Sequence, residues 1–274
     1  MKKTFSLLFF AICLQMNAQQ RVSEIKNYRY EHSTQKESLE GRSTLSYEGD
    51  KLKKITTKNQ DGSIDYSFTL DFKYSDNHIE ATNPENKIRF EMDLENNKPI
   101  LIKQYYYSVN LELSYDENGK IATLKNIKYH GAKKPQISKW FYNYEGGKII
   151  EAFHADATKK KNLKLKDVKN PAYIYTYDGD KLKNIAQTVE SFKFEYTDNK
   201  KIIYYQRGQR KIEYTYENGN LVEVISYSQN DEDYRRISRA VFTYENGNGN
   251  EELYLDYQND NIFTYTLLPE HRSR

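Results

Sequence analysis

Apolar and polar residues alternate strictly along several short stretches of the chain. From Phe68 to Tyr74, every second residue is apolar and falls on one side of an extended backbone, whereas Asp71 and Lys73 fall on the other side. A period of two with aromatic and branched side chains indicates a half-buried antiparallel strand. The same alternation recurs at 109–115, 140–144, 173–177, 192–196, 212–216 and 253–257.

Each alternating stretch ends in a tyrosine that is followed by a polar turn and then, in most copies, by Leu or Ile. Gly and Asn in these turns tolerate the positive φ of a two-residue hairpin turn, so each copy predicts a β-hairpin. Clear copies begin at Tyr47 (YEGDKL), Tyr115 (YDENGKI), Tyr144 (YEGGKI), Tyr177 (YDGDKL) and Tyr216 (YENGNL), looser copies at Tyr74, Tyr196, Tyr244 and Tyr257, and a degenerate copy at Leu94.

The turn fixes the register of the two strands that flank it. Around 49–50, Tyr47 faces Leu52 and Glu48 faces Lys51, and opposite charges at such positions attract each other modestly. Leu52 and Ile55 are three residues apart, so they share one face only if a residue bulges out of the strand. We therefore expect a bulge, or an early change of face, after many turns. A helix also accommodates this spacing, but the arms are short and tyrosine-rich.

These patterns predict an all-β protein in the residues that follow an export signal. We expect an antiparallel meander of about ten hairpins, roughly 18–20 short strands, whose sheet curls strongly or closes into a barrel because its edges must be protected. No linker rich in Pro, Gly or Ser separates the copies. Residues 19–274 are therefore predicted to form a single repetitive β domain.

The first 18 residues have the features of a secretory signal peptide. Two lysines precede the apolar segment 5–14, and the small residue Ala18 marks the expected cleavage site. Cys13, the only cysteine, would be removed with this segment, which excludes disulfides and thiol chemistry from the mature chain. Ile12 before Cys13 disfavours a lipoprotein. We expect a periplasmic, outer-membrane-associated or extracellular protein.

The charge balance argues against nucleic acid as a partner. The 274-residue chain has 42 Lys and Arg against 39 Asp and Glu, and loss of two lysines with the signal leaves 40 against 39. One segment is locally basic and is either a solvated loop or a patch for an acidic glycan or a phospholipid headgroup. Its lysines are Lys159, Lys160, Lys161, Lys164 and Lys166.

The turn pattern resembles the tyrosine–aspartate (YD, or Rhs-type) repeat, best in YDENGKI at 115–121 and in a shorter form at 177–182. The chain is also similar, over roughly residues 40–265, to small secreted Gram-negative bacterial repeat proteins with a porin-like β fold and unknown function. The resemblance implies architecture and no particular activity. A toxin-encapsulating role is not implied, because no toxin domain follows the repeats.

No catalytic, metal or cofactor motif is recognisable. The five histidines are scattered without ligand spacing, and a P-loop, a nucleophile elbow and a dinucleotide fingerprint are all missing from the sequence. We therefore predict no metal, no cofactor and no catalytic residue. Asp and Glu are abundant, so a paired-carboxylate, glycan-active enzyme stays open as a minor alternative.

The 26 tyrosines either line the sheet or stack against sugar rings or peptides where they are exposed. Consecutive aromatic residues point to both faces of a strand, so some of them must leave the main face. The candidate ligand-binding residues are Tyr105, Tyr106, Tyr107, Tyr204, Tyr205 and, less favoured because it is in register with core positions, Trp140.

The sequence thus predicts an exported, non-catalytic envelope or extracellular protein that binds a glycan or an envelope protein through a tyrosine-rich face. A structural envelope component without a ligand is the first alternative. An integral outer-membrane barrel is the second, and it is disfavoured because the apolar runs are short and the polar face is dense in Lys and Glu. The oligomeric state is not predicted.

Overall fold

The computed structural model describes residues 20–249, apart from 132, 161, 188–190, 206–209 and 231–232. No helix in this part of the chain has the length and apolarity needed to span a bilayer. The strands are β1 (Gln20–Glu31), β2 (Lys36–Glu48), β3 (Lys51–Asn59), β4 (Leu70–Ser75), β5 (His78–Thr82), β6 (Ile88–Glu95), β7 (Lys98–Gln104), β8 (Val109–Tyr115), β9 (Ile121–Lys128), β10 (Gln136–Glu145), β11 (Lys148–Asp156), β12 (Tyr173–Asp178), β13 (Lys181–Gln187), β14 (Ser191–Tyr196), β15 (Lys200–Tyr205), β16 (Arg210–Glu217), β17 (Asn220–Asn230) and β18 (Asp233–Asn246).

The described strands form one closed antiparallel barrel. Each strand pairs with the next in chain order, and β18 pairs with β1, so the 18-stranded sheet has no free edge. The all-β meander was predicted correctly in general, but the expected ten hairpins of short strands were wrong. Among the described residues, turns of the repeat join eight strand pairs, from β2–β3 to β16–β17, and the pairing of β18 with β1 supplies the ninth. The copy at Tyr257 lies outside the described residues.

The predicted hairpin register is confirmed. Tyr47 pairs with Leu52 and Glu48 with Lys51 around a turn in which Gly49 has a φ of 60°. The register shifts between Ser46 and Tyr47, which leaves one extra residue on β3 and confirms the expected bulge. The same shift occurs after the turns that follow β6, β8, β10, β12 and β16.

The turns of the repeat that join described strands all lie at one end of the barrel, here called the turn end. Each of them joins an even-numbered strand to the following odd-numbered strand, and the meander alternates direction. The longest connections, 60–69 and 157–172, lie at the opposite end, here called the loop end, and the connection 105–108 lies there too. The structural turns and the irregular connections are therefore at opposite ends of the barrel, and binding residues are commonly found in connections of the second kind.

On several strands the inner side of the barrel is apolar at the turn end and becomes polar toward the loop end. A closed sheet has a covered inner side, so side chains with almost no exposure, such as Leu182 at 0%, face inward. Leu45 pairs with Ile55, and two residues nearer the loop end Ser43 pairs with Thr57 through a 2.9 Å side-chain hydrogen bond. The same change occurs from Leu124 to Asn126, from Trp140 to Ser138 and from Phe242 to Ser238.

In several copies, both clear and looser, the tyrosine ties its hairpin to the hairpin before it. Tyr74 donates a 2.8 Å hydrogen bond to the carbonyl oxygen of Leu52, which follows the preceding turn. These hydroxyls thereby find the partner that a half-buried phenol needs. Equivalent bonds join Tyr115 to Pro99, Tyr144 to Ile121, Tyr177 to Ile149 and Tyr244 to Leu221.

The lysine of the repeat also reaches the next hairpin. Lys120 Nζ lies 5.2 Å from the Tyr144 ring centroid and donates a 2.6 Å bond to the Gly147 carbonyl oxygen in the following turn. Lys148 does the same toward Tyr177 at 5.4 Å and Gly179 at 2.6 Å. A cation–π contact and a charge-assisted hydrogen bond therefore accompany each tyrosine bond along this part of the wall.

The first strand completes the last repeat. Tyr244 pairs with Val22 and Glu245 with Arg21, and the register shifts after Val22, as it does after the covalent turns. Arg21 occupies the lysine position: its guanidinium donates a 2.8 Å bond to the Gly49 carbonyl oxygen and lies 4.1 Å from the Tyr47 ring centroid. The ninth repeat is thus divided between the two ends of the described chain.

Candidate functional site

An aromatic cluster at the loop end brings together two connections that are distant in sequence. The Phe68 and Tyr106 ring centroids are 5.3 Å apart, and Tyr106 meets Tyr107 edge to face at 5.0 Å. Tyr106 is 51% exposed, whereas Tyr107 packs against the core. We use the name loop-end aromatic cluster for Phe68, Tyr106 and Tyr107 together with the exposed tyrosines in or beside the same connections, Tyr66, Tyr105 and Tyr129.

Sequence reasoning missed two exposed tyrosines of this cluster. Tyr66 is 53% exposed in the same connection as Phe68, and Tyr129 is 42% exposed at the end of β9. The Tyr129 backbone N–H donates to the Ser108 carbonyl oxygen at 2.9 Å, which fixes it beside the connection after Tyr107. The available signal for Tyr66 was its position as an aromatic residue within a polar irregular segment.

Tyr105, which is 44% exposed, directs its hydroxyl to the outer wall. It donates a hydrogen bond to Glu91, whose carboxylate also binds Lys103 Nζ at 3.1 Å. The bond to Glu91, followed by partial burial, raises the pKa of Tyr105 to about 12. Burial raises the pKa of the Glu91 carboxyl, but the bonds from Tyr105 and Lys103 outweigh it, and the net shift is downward. Tyr105 therefore stays a neutral donor.

Tyr204 and Tyr205 lie on β15, eight strands away along the wall from β7, so they do not join the cluster. Tyr205 packs edge to face on Phe192 with centroids 4.9 Å apart. Tyr204 faces outward and donates a 3.1 Å bond to Glu195. Burial and this bond raise the pKa of Tyr204 to about 12. The expectation that consecutive aromatic residues occupy both faces holds here.

Trp140 lies on the inner wall and is 8% exposed. Its ring stacks on Tyr173 with centroids 5.5 Å apart and lies 4.4 Å from the His154 ring centroid. The His154 side chain retains solvent contact, yet the surrounding wall desolvates its charged form and lowers its pKa despite the opposing field of Asp156. Trp140 is thus part of the wall, away from the exposed cluster.

The lysine-rich connection between β11 and β12 is anchored on the outside of the barrel. Leu163 is 8% exposed and packs on Phe141 and Phe153, and Lys139 Nζ donates a 3.3 Å bond to the Leu163 carbonyl oxygen. Lys160 pairs with Asp167 at 3.3 Å. Lys159, Lys160, Lys164 and Lys166 are exposed, and Lys161 lies outside the described residues.

One group of side chains has metal-ligating atoms close together on the outer face of β5 and β6. Donor atoms of His78, Glu80 and Glu91 lie within 4.8 Å of one another. Asp93 bonds His78 Nδ1 at 2.6 Å, and Lys103 holds the second Glu91 oxygen. A divalent cation could use these atoms, but cross-strand pairing already provides each of these groups except Glu80 with a partner.

No described protein family and no curated protein matches the chain by sequence. Among solved structures it is similar to a porin-like protein from Bacteroides uniformis (11% identity, 82% of this chain and 98% of that chain, TM-score 0.35). It is also similar to a porin-like protein from Bacteroides vulgatus (11%, 82% and 98%, TM-score 0.32) and to TcdB2-TccC3-TEV (9%, 82% and 16%, TM-score 0.31). At these TM-scores the fold assignment rests on the strand pairing alone.

Proposed function

We propose that this chain is an exported, non-catalytic envelope barrel that binds a glycan through the loop-end aromatic cluster. The observation that carries the proposal is the exposure of Tyr66, Tyr105 and Tyr106 at one end of a barrel whose other tyrosines are largely turned into the wall. Aromatic rings with a polar tip offer flat apolar area and a hydrogen bond together, which suits the faces and hydroxyls of sugar rings.

The distribution of polar and apolar side chains supports a barrel whose outer wall contacts water. A transmembrane barrel presents an apolar band to lipid and a polar interior. Here the main apolar cluster lies inside the barrel, a small one (Phe141, Phe153 and Leu163) lies outside under the lysine-rich connection, and ion pairs line the outer wall. They include Glu24–Arg42 at 2.7 Å, Lys54–Asp71 at 3.0 Å, Glu112–Lys125 at 2.8 Å and Glu223–Arg239 at 2.6 Å. Burying such charges in hydrocarbon is costly, and we therefore infer a barrel that is not inserted.

Glycan binding can be tested with the chain from residue 19 onward, purified without detergent. We expect retention on a subset of immobilised polysaccharides and a Kd at least about tenfold weaker, about 1.4 kcal/mol, for the double variant Tyr66→Ala/Tyr106→Ala. Ile174→Ala is the matched control, because Ile174 is 46% exposed on the outer face of β12. Its binding should equal that of the unmodified protein.

Two results would overturn the proposal. The first is a folded protein that is retained on no polysaccharide, which would favour a structural component without a ligand. The second is binding that the double tyrosine variant leaves unchanged, which would move the ligand to another surface. Extraction of the native protein from the envelope by carbonate tests the water-exposed barrel separately, because an inserted barrel stays in the membrane.

A further inference from the structure

A second feature of the loop end is a basic groove where the β1–β2 turn meets the start of β18. It has a volume of about 520 Å³, within the size range of small-molecule sites. Its lining is polar and aromatic. The residues are Tyr30, His32, Gln35, Tyr234, Arg235 and Arg236, which we call the basic groove.

The charge of this lining is one-sided. The described residues that line it include two arginines and a histidine and no carboxylate. The nearest acidic partner of Arg236 is Glu37 at 2.6 Å, and Glu37 also binds Arg239 at 3.3 Å. Arg239 also pairs with Glu223 at 2.6 Å, so two carboxylates serve these two guanidinium groups. The exposed Arg235 is the cation that the lining offers to an anion.

The aromatic residues of the groove are held by neighbours. Tyr30 meets His32 edge to face with centroids 5.3 Å apart, and Tyr234 meets Tyr204 at 6.2 Å. Lys211 Nζ lies 5.3 Å from the Tyr234 ring centroid. Tyr204 was a candidate from sequence, and its role here is to position Tyr234. The side chains of Tyr30, Tyr234 and the two arginines thus border one groove.

We propose that the basic groove binds the carboxylate of an acidic sugar residue. The exposed guanidinium of Arg235 pairs with the carboxylate through two parallel hydrogen bonds, which an ammonium cannot reproduce, whereas Arg236 is engaged by Glu37. Tyr30 or Tyr234 packs against the sugar ring, and the Gln35 amide forms hydrogen bonds with the sugar hydroxyls. The inference rests on the proposed function only in taking the ligand to be a glycan, and it names uronic acids as the sugar class.

The test compares three probes by calorimetry on the chain from residue 19 onward: an oligogalacturonate, its methyl ester and inorganic phosphate. We expect the acid to bind at least about tenfold more tightly than the ester and the preference to shrink as salt rises. Arg235→Gln should abolish the preference without changing thermal unfolding, because Arg235 is exposed. Arg235→Lys should restore it only in part. Arg42→Gln, an exposed outer-wall arginine paired with Glu24, is the matched control.

The outcomes separate this inference from the proposed function. Equal affinity for acid and ester, with binding lost in Tyr66→Ala/Tyr106→Ala, would overturn carboxylate binding in the basic groove. It would still support glycan binding at the loop-end aromatic cluster. Phosphate binding as tight as the oligogalacturonate would also overturn it, because the groove would then recognise any anion. Failure of all three probes, together with failure on every polysaccharide, would overturn both.

Discussion

The Tyr144 hydroxyl donates a 2.9 Å hydrogen bond to the carbonyl oxygen of Ile121, the residue that follows the turn of the preceding repeat. Lys120, next to Ile121 in sequence, lies over the Tyr144 ring and caps the next turn. The tyrosine, the lysine and the aliphatic residue of the repeat therefore act between hairpins as well as within them. The repeat therefore supplies contacts that join each of these hairpins to the next one.

Loss of one such bond has a measurable cost. Tyr144→Phe leaves the ring in place but removes the donor to the Ile121 carbonyl, and we expect a destabilisation of about 0.5–1.5 kcal/mol in urea unfolding. Tyr66→Phe is the control, because Tyr66 is 53% exposed, and it should change stability by less than about 0.5 kcal/mol. Equal effects of the two variants would contradict a structural role for the hydroxyl.

The divided ninth repeat predicts that Arg21 holds the barrel closed. Its side chain bonds Glu245 at 2.7 Å and the Gly49 carbonyl at 2.8 Å. Arg21→Met should cost about 1–3 kcal/mol and lower amide exchange protection in both β1 and β18. In Lys148→Met a covalent turn still holds the hairpin together, so exchange should rise only near 148 and 179. Unchanged protection along β1 and β18 in Arg21→Met would refute this role.

His154 predicts a component of acid sensitivity. Its pKa in the folded protein is lowered by desolvation from an ordinary value of 6.5. The folded state therefore binds this proton less readily than the unfolded chain, and stability present above the ordinary value is lost as pH falls toward the lowered one. Between about pH 7 and pH 5, the unfolding free energy should fall more steeply for the unmodified protein than for His154→Gln. Parallel profiles would count against this assignment.

The lysine-rich connection should open independently of the barrel. Leu163→Ala removes apolar contact with Phe141 and Phe153 on the outer wall, and we expect a cost of about 2 kcal/mol confined to local opening. Hydrogen exchange should accelerate over 157–172 and remain slow in the strands. Leu182→Ala, at a position with 0% exposure inside the barrel, should lower global stability by about 2–5 kcal/mol. A global loss in Leu163→Ala would mean that the connection is part of the main cooperative unit.

Local patterns in the sequence were sufficient for the hairpins and their bulges. Alternation and turn chemistry involve neighbours in sequence, and Tyr47 opposite Leu52 follows from them directly. The lysines were expected to act across their own turns, but Lys148 instead reaches Asp180 of the next hairpin at 2.7 Å. That partner depends on how hairpins associate. The pairing of β1 with β18 joins the first and the last described strands, which are far apart in sequence, and no local period encodes it.

The candidate site was predictable only in part for the same reason. Tyr105 and Tyr106 were identified because consecutive aromatic residues cannot all face inward. Phe68 meets Tyr106 because two connections distant in sequence meet at the loop end, and Tyr66 and Tyr129 lie in or beside these connections, a relationship set by strand order. The basic groove likewise combines residues near 30 and near 235, which the closing strand pair brings together.

Footprinting of tyrosine side chains with and without the retained polysaccharide tests glycan binding at the loop end most directly. The account predicts that Tyr66 and Tyr106 lose reactivity when the polysaccharide is bound, whereas Tyr115 at the turn end does not change. A groove of about 550 Å³ at the turn end is lined by Tyr115 and Gly119. Protection at Tyr115, with Tyr66 and Tyr106 still reactive, would place the ligand there and contradict the account.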